Sequence, residues 1–162
     1  MKNRFTATLM CSALASMMAT GLACADPIGR YECSIVGISN PEPLGDRAGH
    51  GLASYQFSCF GVDGILKGAV YSAVHVSEWE GPQGNFLLTG GVHRVAGGFA
   101  VSQMTEGTGS VIMKDGKPVG VTSSGKVVFK LGSGTLAALS GKAARFTSKS
   151  TGANRFELEI AD

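Results

Sequence analysis

A chain of 162 residues, 44% hydrophobic and 16% charged, with 24 glycines and a formal charge of +2, suits one domain and is short for two. Its apolar fraction is too high and its charged fraction too low for a disordered chain. Four cysteines are too sparse for a disulfide-dense mini-protein, and the glycines follow no G-X-Y period.

Lys2 and Arg4 precede an uncharged stretch from Phe5 to Leu22, and Ala23-Cys24-Ala25 then places small residues on either side of Cys24 ahead of Asp26. This is the layout of an export signal cleaved after Ala25. The run is near the minimum length for crossing a bilayer and is diluted by Ser, Thr and Ala, which disfavours a membrane-spanning helix. An acylated start at Cys24 is the alternative, with Leu22 one residue nearer the cysteine than a usual lipobox has it. The expected organisation is a cleaved signal over 1–25 and a single domain over 26–162, placed in the periplasm or secreted. The signal takes two of 14 basic residues and no acidic one, so the mature chain holds 12 of each and is neutral. A neutral chain has no electrostatic case for nucleic acid or an anionic membrane. Acidic residues predominate over 26–107 and basic ones over 108–162, read as two solvated surfaces of one domain.

Only Cys33 and Cys59 remain in the mature chain. An even pair in an oxidising compartment, with no close CxxC or CxxH partner, predicts one structural disulfide rather than a metal or redox pair.

From there the chain reads as strands between turns. Asp115-Gly116, between VIMK and KPVGV, is the strongest hairpin signal. Gly61–Gly64, Gly81–Gly84, Gly97-Gly98, Glu106–Gly109, Ser124-Gly125 and Thr151-Gly152 are further turn signals. Several runs between them alternate with period two: Val70, Val74 and Val76 against Tyr71, His75 and Trp79, and Phe156, Leu158 and Ile160 against Glu157 and Glu159. Helix signal is confined to a turn or so within Thr135–Leu139. With no helices to cover them, the strands must close on themselves. The expected fold is all-β, a closed or nearly closed antiparallel barrel of about eight strands, with a β-sandwich as the alternative. The glycines are expected to serve bends and bulges, most plainly at 90–91 and 97–98. One long irregular stretch, Ser39–Gly51, holds two prolines and three glycines and is expected to be an ordered loop, either a lid over the barrel mouth or an inert connection.

Within residues 132–146, GSGTLAALSGKAARF, the positions Gly132, Gly134, Thr135, Leu139 and Gly141 resemble the G-T-G-x-x-x-G-x-x-G segment of allene oxide cyclase and dirigent-like barrels. They are closer still to a small bacterial family of unknown function with the same barrel. Leu136 and Ala138 stand where that pattern often has glycine. The resemblance implies an eight-stranded barrel with a central cavity, which in some relatives binds apolar or aromatic molecules and steers cyclisation or coupling; it carries over no catalytic residue. The G-x-W opening of lipocalins and the several tryptophans of biotin-binding barrels are both missing, since Trp79 is the only tryptophan.

No nucleophile elbow, Walker loop, HExxH helix or dinucleotide fingerprint is present, so no cofactor is expected and no catalytic residue is assigned. The candidate ligand-binding residues are Tyr71, His75, Trp79, Glu78, Arg94, His93 and His50. Tyr71, His75 and Trp79 share one strand face with Ala73 and Ser77, the mixture of aromatic wall and few polar groups that a small-molecule pocket uses. The valine face makes the more ordinary core, so the aromatic face is expected to point outward. Glu78 would then approach the barrel end from inside, with Arg94, in phase with Phe86, Leu88 and Val92, as its salt-bridge partner and His93 facing the other way. His50, with Asp46 and Arg47, is placed near a cavity mouth. The spacing of His50, His75 and His93 matches no metal site, and none is assigned. The leading expectation is an exported, monomeric or small-oligomeric barrel that binds a small apolar or aromatic molecule without catalysis. The alternatives are a cofactor-free isomerase or cyclase of the allene oxide cyclase or dirigent type, and an envelope structural or protein-interaction module.

Overall fold

A computed structural model describes residues 27–162; the expected signal, its cleavage site and Cys24 lie outside them. Nine strands follow in chain order: β1 (Pro27–Val36), β2 (Glu42–Pro43), β3 (His50–Gly64), β4 (Val70–Glu80), β5 (Gln83–Val95), β6 (Gly98–Lys114), β7 (Lys117–Gly134), β8 (Ala143–Gly152) and β9 (Arg155–Ala161). Apart from β2, each pairs antiparallel with its chain neighbour, and β1 pairs with both β9 and β3, so eight strands close an up-and-down barrel. The two-residue β2 pairs with Gly51 and Leu52 at the end of β3 that β1 leaves bare. Closure leaves no long strand edge unpaired.

Asp115 and Gly116 form the tight turn between β6 and β7, both with positive φ (51° and 73°), as a type I′ hairpin requires. Of the other expected turns, Gly61–Gly64 and Thr151-Gly152 end strands just ahead of the reversals at 65–68 and 153–154, and two are absent. Glu106–Gly109 lies inside β6 and Ser124-Gly125 inside β7, so the runs on either side of each join into strands of 17 and 18 residues. These glycines make room instead of reversing the chain. A Cβ on Gly125 would collide with the Glu106 carbonyl oxygen, and one on Gly107 would stand 2.7 Å from Met104 Sδ and 2.9 Å from the Phe86 ring inside the barrel. A β-bulge lies beside them at Thr105 and another at Leu87, where β5 carries one residue more than its partner strand.

Cys33 and Cys59 are directly opposed on β1 and β3 and form the disulfide, buried against the core. With a sequence separation of 26, the bridge stabilises the fold by about 3 kcal/mol in the chain-entropy account. One end of the barrel is plugged. The turn after β3 brings in Leu66, and the connection from β7 to β8, with its single 3-10 turn Ala137–Leu139, brings in Leu136 and Leu139. All three are at most 2% exposed and pack with Ile28, Tyr31 and Phe129. The hairpin turns at 81–82, 115–116 and 153–154 and the long loop 37–49 gather at the other end.

Candidate functional site

Strand β4 decides what the barrel encloses. Its inward residues are Tyr71, Ala73, His75, Ser77 and Trp79, all buried, whereas Val70 and Val74 are 45% and 44% exposed on the outer wall. The expected orientation is therefore reversed. The register with β3 places Cys59, Phe57 and Tyr55 opposite Tyr71, Ala73 and His75, so the aromatic face of β4 continues the face that carries the disulfide. Burying large rings whose polar tips find internal partners outweighs burying the smaller valines.

Glu78 and Arg94 are consequently on the outside. Glu78 follows the outward valines. The expected phase of Arg94 runs across Leu87, and the bulge there shifts the alternation: Phe86 lies inward before it, and Thr89, Gly91 and His93 do so after it. No ion pair joins Glu78 to Arg94; Glu78 pairs with His50 instead.

Above the plug the inward faces enclose a cavity of about 560 Å³ that opens between the hairpins and the long loop. Its wall is mostly apolar, with Tyr55, Phe57, Tyr71, Trp79, Phe86, Phe146 and Phe156 as the large rings. Among the described residues, Arg155, at the mouth, is the only permanently charged side chain in the lining, and no Asp or Glu contributes to it. Trp79 lies across two glycines that pair with each other on β5 and β6: a Cβ would stand 2.7 Å from the indole at Gly84 and 3.2 Å from it at Gly109. Bare backbone at both positions gives the ring its place against the wall.

His75 sits halfway up the wall between the Tyr55 ring, centroids 4.7 Å apart, and the edge-on Phe86 ring at 4.4 Å. Its Nδ1 is 2.7 Å from Thr89 Oγ1 and its Nε2 is 2.9 Å from Ser77 Oγ, which also accepts the Trp79 indole N–H at 2.9 Å. Burial pushes the His75 pKa down to about 4, so the ring is neutral at pH 7. His93 lies at the cavity floor, completely buried and stacked on Tyr71 at 3.8 Å. Its Nδ1 meets Tyr31 Oη at 2.7 Å and its Nε2 meets Ser102 Oγ at 2.8 Å, and burial lowers its pKa to about 3. The Tyr55 hydroxyl, raised to about 12 by burial, stays un-ionised.

His50 does not line the cavity. It opens β3, 7% exposed, with Nδ1 2.5 Å from Asp46 Oδ1 and Nε2 2.6 Å from Glu78 Oε1. Arg47 adds contacts to Asp46 at 2.9 Å and to Glu80 at 3.2 Å. The hydrogen bond to Asp46, then that to Glu78, raises the His50 pKa, while the same contact with His50 lowers that of Asp46. This cluster clasps the long loop to β4. The loop's Ser39, Asn40 and Pro41 lie at the cavity mouth, and Ser39 donates to Asn154 Oδ1 at 3.1 Å across it. The three histidines occupy three separate settings, and no group of three or more metal-ligating residues lies together among the described residues.

Of the seven expected site residues, Tyr71, His75 and Trp79 line the cavity, His93 supports its floor, His50 anchors the mouth loop, and Glu78 and Arg94 face away from the cavity. Tyr55, Thr89 and Ser102 are lining residues that sequence reasoning missed. Tyr55 was within reach, since it alternates in step with Cys59 and cysteine is among the residues most often buried. Thr89 follows a bulge, and no local signal marks it.

Compared with protein-family models, with curated proteins and with solved structures, the chain finds no match in any of the three.

Proposed function

We propose that the protein is an exported carrier or receptor that holds a small, uncharged, apolar or aromatic molecule inside its barrel. The observation that carries this reading is the cavity of about 560 Å³, open at one end, with an aromatic wall and a few inward polar groups. That size and lining suit a ligand of drug-like dimensions. The disulfide supports maturation in an oxidising compartment. The catalytic alternative, in which Glu78, Arg94 or His75 would assist proton transfer, keeps only His75 in the cavity, because Glu78 and Arg94 are both on the outer side of the wall. The reading does not depend on a relationship to allene oxide cyclase or dirigent barrels.

Native mass spectrometry of the protein purified from its native compartment tests the proposal. A small molecule that co-purifies and is released on denaturation is the expected result. Trp79, the only tryptophan and a lining residue, provides a second readout, because a naphthalene-class probe entering the cavity should change its fluorescence. A clean apo mass together with unchanged Trp79 emission would overturn the proposal.

A further inference from the structure

Two hydrogen-bond chains run through the barrel interior, and both are polarised toward the cavity. The first starts at Tyr31, which is completely buried and has His93 Nδ1, at 2.7 Å, as its one polar neighbour among the described residues. A buried hydroxyl must spend its proton, so Tyr31 donates to Nδ1. A neutral imidazole then carries its hydrogen on Nε2. Nε2–H donates to Ser102 Oγ at 2.8 Å, and the Ser102 O–H passes to Tyr71 Oη at 3.3 Å. The Tyr71 O–H is left with no protein acceptor among the described residues, on a side chain that lines the cavity.

The second chain starts at Trp79, whose indole N–H can only donate and does so to Ser77 Oγ. Ser77 is completely buried, and the acceptor for its own O–H is His75 Nε2 at 2.9 Å. His75 therefore holds its hydrogen on Nδ1 and donates to Thr89 Oγ1 at 2.7 Å. The Thr89 O–H is again unspent and again on a lining residue. Tyr55, paired across β3 and β4 with His75, lines the cavity with a hydroxyl that has no protein partner among the described residues.

We infer that the cavity selects its ligand by hydrogen-bond acceptors: an uncharged aromatic or apolar frame with a carbonyl or ether oxygen taken by Tyr71 at the floor, and a second acceptor served by Thr89 or Tyr55 nearer the mouth. This inference rests on the reading of the cavity as a ligand site. The Tyr71 and Thr89 oxygens already accept one hydrogen bond each, so they serve a ligand chiefly as donors. Among the described residues no carboxylate lines the cavity to receive a ligand ammonium, and no interior cation receives a ligand carboxylate, since Arg155 stands at the exposed mouth.

Equilibrium dialysis of fluorenone against fluorene tests this, because the two share a tricyclic frame and differ by the carbonyl. The wild-type protein should bind fluorenone about tenfold more tightly, against the greater hydrophobicity of fluorene. Tyr71→Phe should remove most of that preference, with an unchanged far-ultraviolet circular dichroism spectrum showing that the variant is folded. Tyr55→Phe breaks no protein hydrogen bond and is the second variant, expected to reduce the preference less than Tyr71→Phe does, because fluorenone carries one carbonyl and the floor takes it. Equal binding of both compounds by the wild type would overturn the acceptor rule and leave the cavity reading standing. Binding of neither compound would overturn both. A preference that survives Tyr71→Phe, Thr89→Val and Tyr55→Phe alike would overturn the assignment of donors.

Discussion

The two ends of the barrel are made from the same eight strands and do opposite work. The closed end is filled by Leu66, Leu136 and Leu139 over a floor where Tyr31, His93 and Ser102 satisfy one another. The open end has short hairpins, a long loop and a clasp of half-exposed charges around one buried histidine. Apolar burial and neutral hydrogen bonds hold the first; charge-assisted contacts hold the second. Stability is thus concentrated at the plug, and the weaker, solvent-sensitive contacts surround the cavity mouth.

The histidines make the contrast measurable, because burial depresses the interior pair while carboxylates raise His50. A histidine with a lowered folded pKa binds fewer protons than the unfolded chain, so its contribution is intact above about pH 6.5 and declines as pH falls. For His75 the decline runs to about pH 4 and for His93 to about pH 3. Within that window each costs about 1.4 kcal/mol per pH unit. Urea unfolding should therefore show stability falling steeply between pH 6.5 and 4. A flat profile across that range would place the histidines outside the neutral core.

Leu66→Ala should be the next largest effect, about 2–5 kcal/mol, since it empties a completely buried position in the plug. Denaturation at pH 7 reads it. A loss under 1 kcal/mol would mean that the closed end does not carry the stability assigned to it.

The smallest global effect belongs to His50, and it has the opposite sign. Its pKa is raised, so the clasp is complete below about pH 6.5 and loosens as pH rises through the elevated value. Asp46, held below its ordinary value by His50, sets the acid limit, because its contribution is lost as pH falls through that lowered value. His50→Ala should leave the unfolding midpoint nearly unchanged while amide exchange in residues 37–49 speeds up. Amide protection factors in that loop, which are corrected for the intrinsic rise of exchange with pH, that are the same at pH 6 and pH 9 and in the variant would remove the clasp from the comparison.

The difference between readable and unreadable features comes down to range. Asp115-Gly116 announces its hairpin because only residues that tolerate positive φ on both sides of the bend suit a type I′ turn. Glu106–Gly109 and Ser124-Gly125 carry much the same composition and lie within strands, because glycine is also used where neighbouring backbone or rings leave no space for a Cβ. Local sequence does not separate these two uses. The disulfide was legible by counting, since the expected loss of Cys11 and Cys24 with a signal leaves one possible partnership. The inward face of β4 was not, because both of its faces carry apolar side chains at period two.

The sequence by itself determined the class of architecture: period-two alternation, scarce helix signal and many turn residues leave the strands no cover except one another. It also determined that Cys33 and Cys59 belong together. On β9 the alternation of Phe156, Leu158 and Ile160 with Glu157 and Glu159 already marked the inward face; where both faces are apolar, as on β4, or a bulge shifts the phase, as on β5, tertiary structure alone decided which side became the interior. That choice depends on register across neighbouring strands and on bulges at Leu87 and Thr105, each of which inverts the alternation beyond it. A one-residue slip exchanges inside for outside. This is why Tyr71, His75 and Trp79 became a cavity wall while Glu78 and Arg94 were turned outward.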